Sequence, residues 1–247
     1  MVGVLEVNQI EVNIESALYY PKMKDYGEMI DDIKDFRYIF KKGGSYGIIG
    51  QCGEGGWGLS YNLAGREQFI SGEIKLDGML ATLTDLEGIS WYVGEGISRN
   101  PFSKRKSIIK QLEEAIKHNH SGSIQSVGEI VELFNLSQDR LNLKLEELSW
   151  ERWKASLAIG YAYGKQIFCF PWMSTGWIND LILNCSIHIC IEILKNAGAI
   201  IILPTQAEES VGFFVDEVVY LRNSRHVPSK RAQEIVEQYM QSKVSTN

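Results

Sequence analysis

Hydrophobic and polar residues alternate along two N-terminal stretches of the chain, 4–14 and 33–40. This two-residue period is typical of β-strands with one buried face. Short runs that are apolar throughout, such as 199–203, are typical of strands buried on both faces. Together the patterns predict strands over 4–14, 33–40, 46–49, 72–78 (closing in a turn), 89–93, 166–170, 199–203 and 215–221.

Apolar residues at helical spacing lie between and after these strands. A stop signal at Gly198 ends the longest such stretch, and Pro228 stands near the start of the last one. Helices are predicted over 59–65, 107–118, 127–135, 146–162, 178–197 and 229–243.

The order of these elements predicts an α/β sheet, because strands alternate with helices along the chain. The block after about residue 97 departs from this order, since it is helical only. We therefore expect a single core formed by 1–96 and 156–247, into which a helical subdomain, 97–155, is inserted.

The charge balance lowers the expectation of a nucleic-acid partner. The 247 residues carry 25 basic and 31 acidic side chains, a net charge of −6, whereas nucleic-acid-binding proteins usually have a basic excess. No apolar run reaches the length of a membrane span, and the N-terminus lacks the pattern of a signal peptide. The four cysteines form no CxxC pair, so we expect reduced thiols in a cytosolic protein and no zinc site.

A glycine cluster, Gly50 to Gly58, follows the strand predicted at 46–49 and precedes a helix. A strand, a glycine-rich turn and a helix can direct backbone N–H groups at one phosphate. The P-loop version also needs a lysine followed by serine or threonine. Here Gly56, Trp57 and Gly58 stand in those places, so the pattern keeps the glycines of the turn and loses its cation and its hydroxyl.

The sequence resembles the ATPase (nucleotide-binding) domain of ABC transporters along the whole chain. Residues 50–65 fit the phosphate-binding motif of that family without a gap, and 72–78 is similar to its next strand and turn. The residues retained from the motif are Gly50, Gly53, Gly55, Leu59, Asn62, Leu63, Ala64 and Gly65.

The resemblance also places substitutions at the other motifs of the family. Glu95 stands for the glutamine of the Q-loop, and Gln206 for the histidine of the switch loop. In the signature motif Ser149 is kept, while Trp150 and Glu151 replace two glycines. In the Walker B and D-loop region Trp172 replaces the Mg²⁺-associated aspartate, Met173 the catalytic glutamate and Asn179 the D-loop aspartate, unless a one-residue slip brings Asp180 there.

The resemblance implies an α/β, P-loop NTPase-like core with an N-terminal antiparallel portion and a helical subdomain. The substitutions predict that this cassette is degenerate. Phosphoryl transfer depends on positioning and charge neutralisation, and an indole cannot ligate Mg²⁺, which needs oxygen ligands. We therefore expect no ATP hydrolysis and no Mg-ATP cofactor. The two tryptophans, Trp57 and Trp172, are alternatively ordinary core residues, which would remove the metal site all the same.

The resemblance further implies a second ABC ATPase-like chain and an integral membrane permease as partners. The chain would then lie at the cytoplasmic face of the membrane, in an export or peptide-resistance complex, with the region 95–106 contacting the permease. We expect Trp150 to add bulk, and Glu151 a negative charge, where the family's signature faces phosphate.

Two alternatives remain. In the first, the chain is an active but atypical ATPase in which Glu95, Asp180 or Glu208 supplies the metal carboxylate. In the second, it is a soluble protein that keeps the fold and binds a peptide or another anion at the glycine loop.

Other chemistry-bearing residues are interpreted as structural. His118 and His120 are expected in an exposed loop, and His188 as a hydrogen-bonded core residue on one apolar helix with the buried thiols of Cys185 and Cys190. Ser149 is expected to cap a helix, and the basic residues 104–106 to lie in a solvated turn. Three tyrosines, Tyr19, Tyr20 and Tyr26, lie where the family stacks an aromatic ring on adenine, and the sequence does not choose among them.

Overall fold

The computed structural model describes residues 6–19, 22–23, 27–28, 31–66, 71–95, 106–119 and 126–221, with side chains outside 17–28. The basic residues 104–105, most of the region 95–106, and the helix predicted at 229–243 lie outside the described residues.

An antiparallel sheet is built from the N-terminal part of the chain, with its strands in the order β4 (Asp31–Lys41), β1 (Gln9–Tyr19), β6 (Ser71–Leu76) and β7 (Met79–Leu80). The buried side chains of β1, Ile10, Val12 and Ile14, recur at every second position, as the alternation in the sequence predicts. A separate pair is formed by β2 (Lys22–Met23) and β3 (Gly27–Glu28).

A second sheet is parallel throughout, with order β11-β5-β10-β9-β8. Its central strand is buried along its whole length, which explains why the sequence there is apolar throughout. The strands are β5 (Ser45–Ile49), β8 (Ser90–Tyr92), β9 (Ile167–Cys169), β10 (Ile200–Thr205) and β11 (Glu217–Tyr220).

The helices confirm most of the periodic pattern and correct it at its longest element. The helix predicted over 178–197 is wrong in extent, because Ser186 adopts a left-handed conformation (φ 51°) that ends one helix and begins the next, with a bend of 81° between them. The helices are α1 (Gly56–Leu63), α2 (Leu83–Ile89), α3 (Ile108–His118), α4 (Val127–Leu133), α5 (Glu151–Ala162), α6 (Thr175–Cys185), α7 (Ile187–Asn196) and α8 (Glu208–Val211).

Two hydrophobic clusters lie against the parallel sheet, and β10 contributes to both. Its Ile201 and Leu203 pack with helices of the 106–196 region, whereas Ile200 and Ile202 pack with α1 and the antiparallel sheet.

Because β5, β9 and β10 are parallel, their carboxyl ends meet at one edge of the sheet. This edge is where α/β folds bind ligands. The domain division at 97–155 stays a prediction.

Among the described residues, no single helix has both the length and the apolar composition to cross a membrane. Helices α6 and α7 reach that length and apolar composition when they are counted together, across the 81° bend between them.

Candidate functional site: the glycine loop

The glycine loop connects β5 to α1 at the carboxyl edge of the parallel sheet. Gly53 and Gly55 have φ angles of +90° and +98°, a conformation that glycine adopts without strain. Helix α1 begins at Gly56, three residues earlier than the sequence pattern predicts. The last glycines of the cluster therefore form the first turn of the helix, and their N–H groups point out of its N-terminal end.

The carboxylate of Asp31, the first residue of β4, lies on these N–H groups. Its two oxygens accept hydrogen bonds from Gly55 N (2.9 Å) and Gly58 N (2.7 Å), and the side chain is almost completely buried (1% exposed). Burial raises the pKa of this carboxyl above its ordinary value, although the backbone N–H groups of Gly58, Gly55 and Trp57 act to lower it. Both oxygens of an internal carboxyl group therefore accept from the donors of the loop.

Trp172 covers the other side of the loop. Its indole Nε1 donates a hydrogen bond to the carbonyl oxygen of Gly50 (2.9 Å), and its ring centroid lies 5.2 Å from that of Trp57. A Cβ atom added at Gly56 would lie 2.7 Å from Cδ1 of Trp172 and 3.0 Å from Cβ of Pro204. The space into which a side chain at Gly56 would extend is thus filled by an indole.

The neighbouring motif positions are held by structural contacts. Met173 is fully buried, and its carbonyl oxygen accepts a 2.7 Å hydrogen bond from Thr205 Oγ1 at the end of β10. Asn179 accepts a 2.7 Å hydrogen bond from Ser210 Oγ, while Gln206 donates a long one, 3.5 Å, to Thr175 Oγ1. The structure thus brings Met173 and Gln206 to the same sheet edge as the glycine loop.

Glu95 forms an ion pair with Arg66, just after α1. The Arg66 guanidinium also lies 4.6 Å from the centroid of the Tyr92 ring. Helix α5 holds the same segment, because Ser156 Oγ accepts from Gly94 N (2.8 Å) and donates to the carbonyl oxygen of Glu95 (3.0 Å). Glu95 is therefore fixed between α1 and α5.

The signature positions differ from expectation at two residues. Ser149 is exposed and does not cap α5, whose N-cap is Trp150 without a side-chain hydrogen bond; the prediction of a Ser149 cap is wrong. Glu151 accepts from Ser137 N (2.6 Å) and from Arg140 Nη1 (3.0 Å). Its charge is therefore paired within the helical region, and the expectation that it faces a phosphate stays a prediction. Trp150 packs partly buried against the helical core.

The carboxylates of the active-ATPase alternative have separate partners. Asp180 accepts a long hydrogen bond, 3.4 Å, from Asn184 Nδ2 on its own helix, and Glu208 accepts from the Tyr220 hydroxyl. Nowhere in the described parts of the chain do three or more His, Cys, Asp or Glu side chains form a group that could hold a metal ion.

The cysteines and histidines divide into buried and exposed groups. Cys185 and Cys190 are buried, and burial raises the pKa of these thiols to about 11 and about 12. They lie on two helices, α6 and α7, instead of one. The expectation that His188 is a hydrogen-bonded core residue is wrong, because the residue is only half-buried and its buried Nδ1 has no hydrogen-bond partner among the described residues. His118 is exposed, as predicted, but it is the last residue of helix α3 and does not lie in a loop.

Some predicted positions have no described side chain. Tyr19 is the last residue of β1, while Tyr20, Tyr26 and His120 lie outside the described residues. The tyrosine next to an adenine position stays a prediction.

Asp31 is the site residue that the sequence analysis missed. It stands two positions before Ile33, and both side chains are buried, as the strand period requires. The available signal was an acidic residue two positions before the predicted strand 33–40, on the inward face if that strand begins earlier.

Comparison with known proteins places the fold. No family model matches the sequence, and no curated protein matches it. Among solved structures, an ATP-binding subunit of an ABC transporter is 17% identical with a TM-score of 0.61, covering 87% of this chain and 86% of that one. A dimeric ATP-binding cassette in a post-hydrolysis state, bound to ADP and Pi, is 16% identical with a TM-score of 0.62, covering 86% and 94%.

A third similar structure is cbiO1 from Clostridium perfringens, part of the ABC transporter complex cbiONQ. It is 14% identical with a TM-score of 0.59, covering 92% of this chain and 93% of that one. At such identities the likeness concerns the fold. This chain has the mixed α/β fold of these ABC transporter ATP-binding proteins, with one parallel and one antiparallel sheet, and the fold class expected from the sequence is confirmed.

Proposed function

We propose that this protein is an ABC-cassette subunit that does not hydrolyse ATP and that acts as a structural or regulatory partner in a membrane export or peptide-resistance complex. The observation that carries the proposal is the position of Trp172. Its ring fills the space beside Gly56, where a P-loop enzyme has the lysine that neutralises phosphate charge.

The residues around the loop do not fit a magnesium-bound nucleotide. Mg²⁺ requires oxygen ligands in octahedral geometry, whereas the loop carries two indole rings, Trp57 and Trp172, in contact with each other. Met173, at the position of the catalytic glutamate, is fully buried and has no group that can polarise a water molecule. Phosphoryl-transfer catalysis depends on positioning and charge neutralisation, and the residues described at the motif positions around this loop include no lysine or metal-binding acid that could supply them, which supports the proposal.

The fold and two similar structures support the partners that we propose. One similar structure is a dimer and another is part of a transporter complex. A second cassette chain and an integral membrane permease are therefore the partners that we propose, and the chain would lie at the cytoplasmic face of the membrane. The substituted signature, with Trp150 at the start of α5, supports a role in which this chain contributes little to a shared nucleotide site.

Isothermal titration of the purified chain with MgATP tests the first part of the proposal. In the titration we expect no binding at low-micromolar nucleotide. In an ATPase assay of the same chain we expect no magnesium-dependent release of phosphate. The Asp180→Ala variant is the matched control. Magnesium-dependent phosphate release by the original chain would contradict the proposal, and its loss in the variant would favour the atypical enzyme. Low-micromolar binding without hydrolysis would contradict the expectation that the loop holds no MgATP.

Co-expression with the membrane proteins encoded next to its gene tests the second part. After extraction in detergent, we expect the chain to elute with an integral membrane protein. Recovery as a lone soluble monomer under these conditions is the result that speaks against the proposed assembly.

A further inference from the structure

We infer that the carboxylate of Asp31 takes the place of a phosphate group on the glycine loop, keeping the loop folded and closed to oxyanions in the absence of any nucleotide. The inference concerns an internal contact of this chain. It stands on the geometry of the loop and does not depend on whether the proposed function is correct.

The donors that Asp31 engages are those that such loops offer to phosphate. Backbone N–H groups at the start of a helix following a glycine-rich turn point toward one anion, and the helix dipole favours negative charge there. In this chain the N–H groups of Gly55 and Gly58 donate to separate oxygens of one carboxylate, at 2.9 Å and 2.7 Å. The Trp57 N–H acts on the same carboxyl.

The residues that follow Asp31 hold it in place. Asp32 N donates a 3.1 Å hydrogen bond to the carbonyl oxygen of Gly53. The side chain of Ile33 packs against the loop so closely that a Cβ atom at Gly55 would lie 2.4 Å from Cβ of Ile33. Three consecutive residues of β4 therefore contact three positions of the glycine loop, and the start of the strand packs along the loop without a break.

The charge of Asp31 makes the contact incompatible with a bound phosphate. The charge of Asp32, a second acid, acts to raise the pKa of Asp31. A buried carboxylate is unfavourable unless hydrogen bonds compensate for the lost water. The loop N–H groups supply that compensation. A phosphate on the same donors would lie against the carboxylate and be repelled by it, so the two anions exclude each other.

The Asp31→Ala variant tests the inference directly, with Asp32→Ala as its matched control. The control removes the same charge one residue away and leaves the Gly55 and Gly58 donors occupied. Thermal unfolding is measured in inorganic phosphate and in chloride at equal ionic strength. In Asp31→Ala we expect saturable stabilisation, raising the Tm by about 3–6 °C at ten times the dissociation constant, and no such shift in the original chain or in Asp32→Ala.

A phosphate-dependent shift of equal size in the original chain would overturn the inference, because the loop would then be open with Asp31 present. Absence of any shift in a folded Asp31→Ala variant would overturn it as well. These results leave the proposed function untouched, since that is tested by MgATP on the unaltered chain.

Amide hydrogen exchange in the Asp31→Asn variant covers the case in which Asp31→Ala does not fold. Asparagine keeps the shape of the side chain but replaces one acceptor oxygen with a donor group. We expect at least tenfold faster exchange at the Gly55 or Gly58 amide, with the amides of β10 unchanged. Unchanged exchange at both glycines would show that the carboxylate does not hold the loop.

Discussion

At the scale of single residues, Gly56 and Trp172 form a complementary pair. The indole occupies the volume that a side chain at Gly56 needs, and the glycine allows the indole to reach the carbonyl oxygen of Gly50. Restoring a lysine at one position therefore conflicts with the residue at the other. A side chain at position 56 and the indole of Trp172 therefore exclude each other in this chain.

The Gly56→Lys variant tests this coupling. Because overpacking a filled site costs about 1–3 kcal/mol, we expect the free energy of unfolding to fall by that amount. In a Trp172→Ala background the same change should cost less, with a coupling energy of about 0.5–3 kcal/mol. Urea unfolding of the two single variants and the double variant measures it.

Gly176→Lys is the control for this cycle. Gly176 lies in the first turn of α6 with no atom within 4 Å of its added Cβ, so lysine there should cost little in either background. Equal costs of Gly56→Lys with and without Trp172 would mean that the two positions are independent.

The residue scale also shows what the sequence could reveal of the site. Gly56, Trp57 and Trp172 stand where the resemblance expects a lysine, a hydroxyl and an acid, and the sequence shows this because each position is defined within a motif. The contact of Asp31 with Gly55 and Gly58 spans 24 and 27 residues, and no local pattern encodes such a separation. The sequence does show that Asp31 stands two positions before Ile33. In a strand, both side chains then lie on the same, inward face.

At the scale of elements, the pattern predicted which segments form helices and strands better than where they end. The apolar period continues through 178–197, so it gave no sign that Ser186 reverses its φ angle. The predicted start of α5 at residue 146 is too early, because residues 145–147 form a separate 3₁₀ turn and the helix begins at Glu151. Ends are decided by single residues and by their partners elsewhere in the chain.

Glu151 is such a partner at the start of α5. Burial acts to raise the pKa of its carboxyl, but hydrogen bonds from Ser137 and the charge of Arg140 bring that pKa below its ordinary value. A lowered pKa in the folded state stabilises the fold above the ordinary pKa of a glutamate, and this contribution is lost as the pH falls through the folded-state value.

The Glu151→Gln variant should therefore be less stable than the original chain by about 1 kcal/mol at neutral pH, with the difference shrinking as the pH falls below the ordinary range of a glutamate. Urea unfolding over a pH series measures it, with the exposed Glu113→Gln on α3 as control. A difference that stays constant down to acid pH would mean that the charge of Glu151 contributes nothing.

At the scale of the whole molecule, β10 joins the two hydrophobic clusters. Its side chains alternate between them, with Ile201 in the cluster that includes the helices of the 106–196 region and Ile202 in the cluster of the antiparallel sheet. Leu112 of α3 and Leu203 of β10 belong to the same cluster. The packing therefore favours one cooperative unit over a separable helical subdomain.

Alanine substitutions on the two faces of β10 test this view. Both side chains are fully buried, so Ile201→Ala and Ile202→Ala should each lower the free energy of unfolding by about 2–5 kcal/mol. If the clusters unfold together, far-UV circular dichroism and tryptophan fluorescence give coincident transitions in both variants. The half-exposed Ile39→Ala on β4 should have a much smaller effect. Separate transitions in Ile201→Ala, with the helical region unfolding first, would instead make 97–155 a subdomain of independent stability.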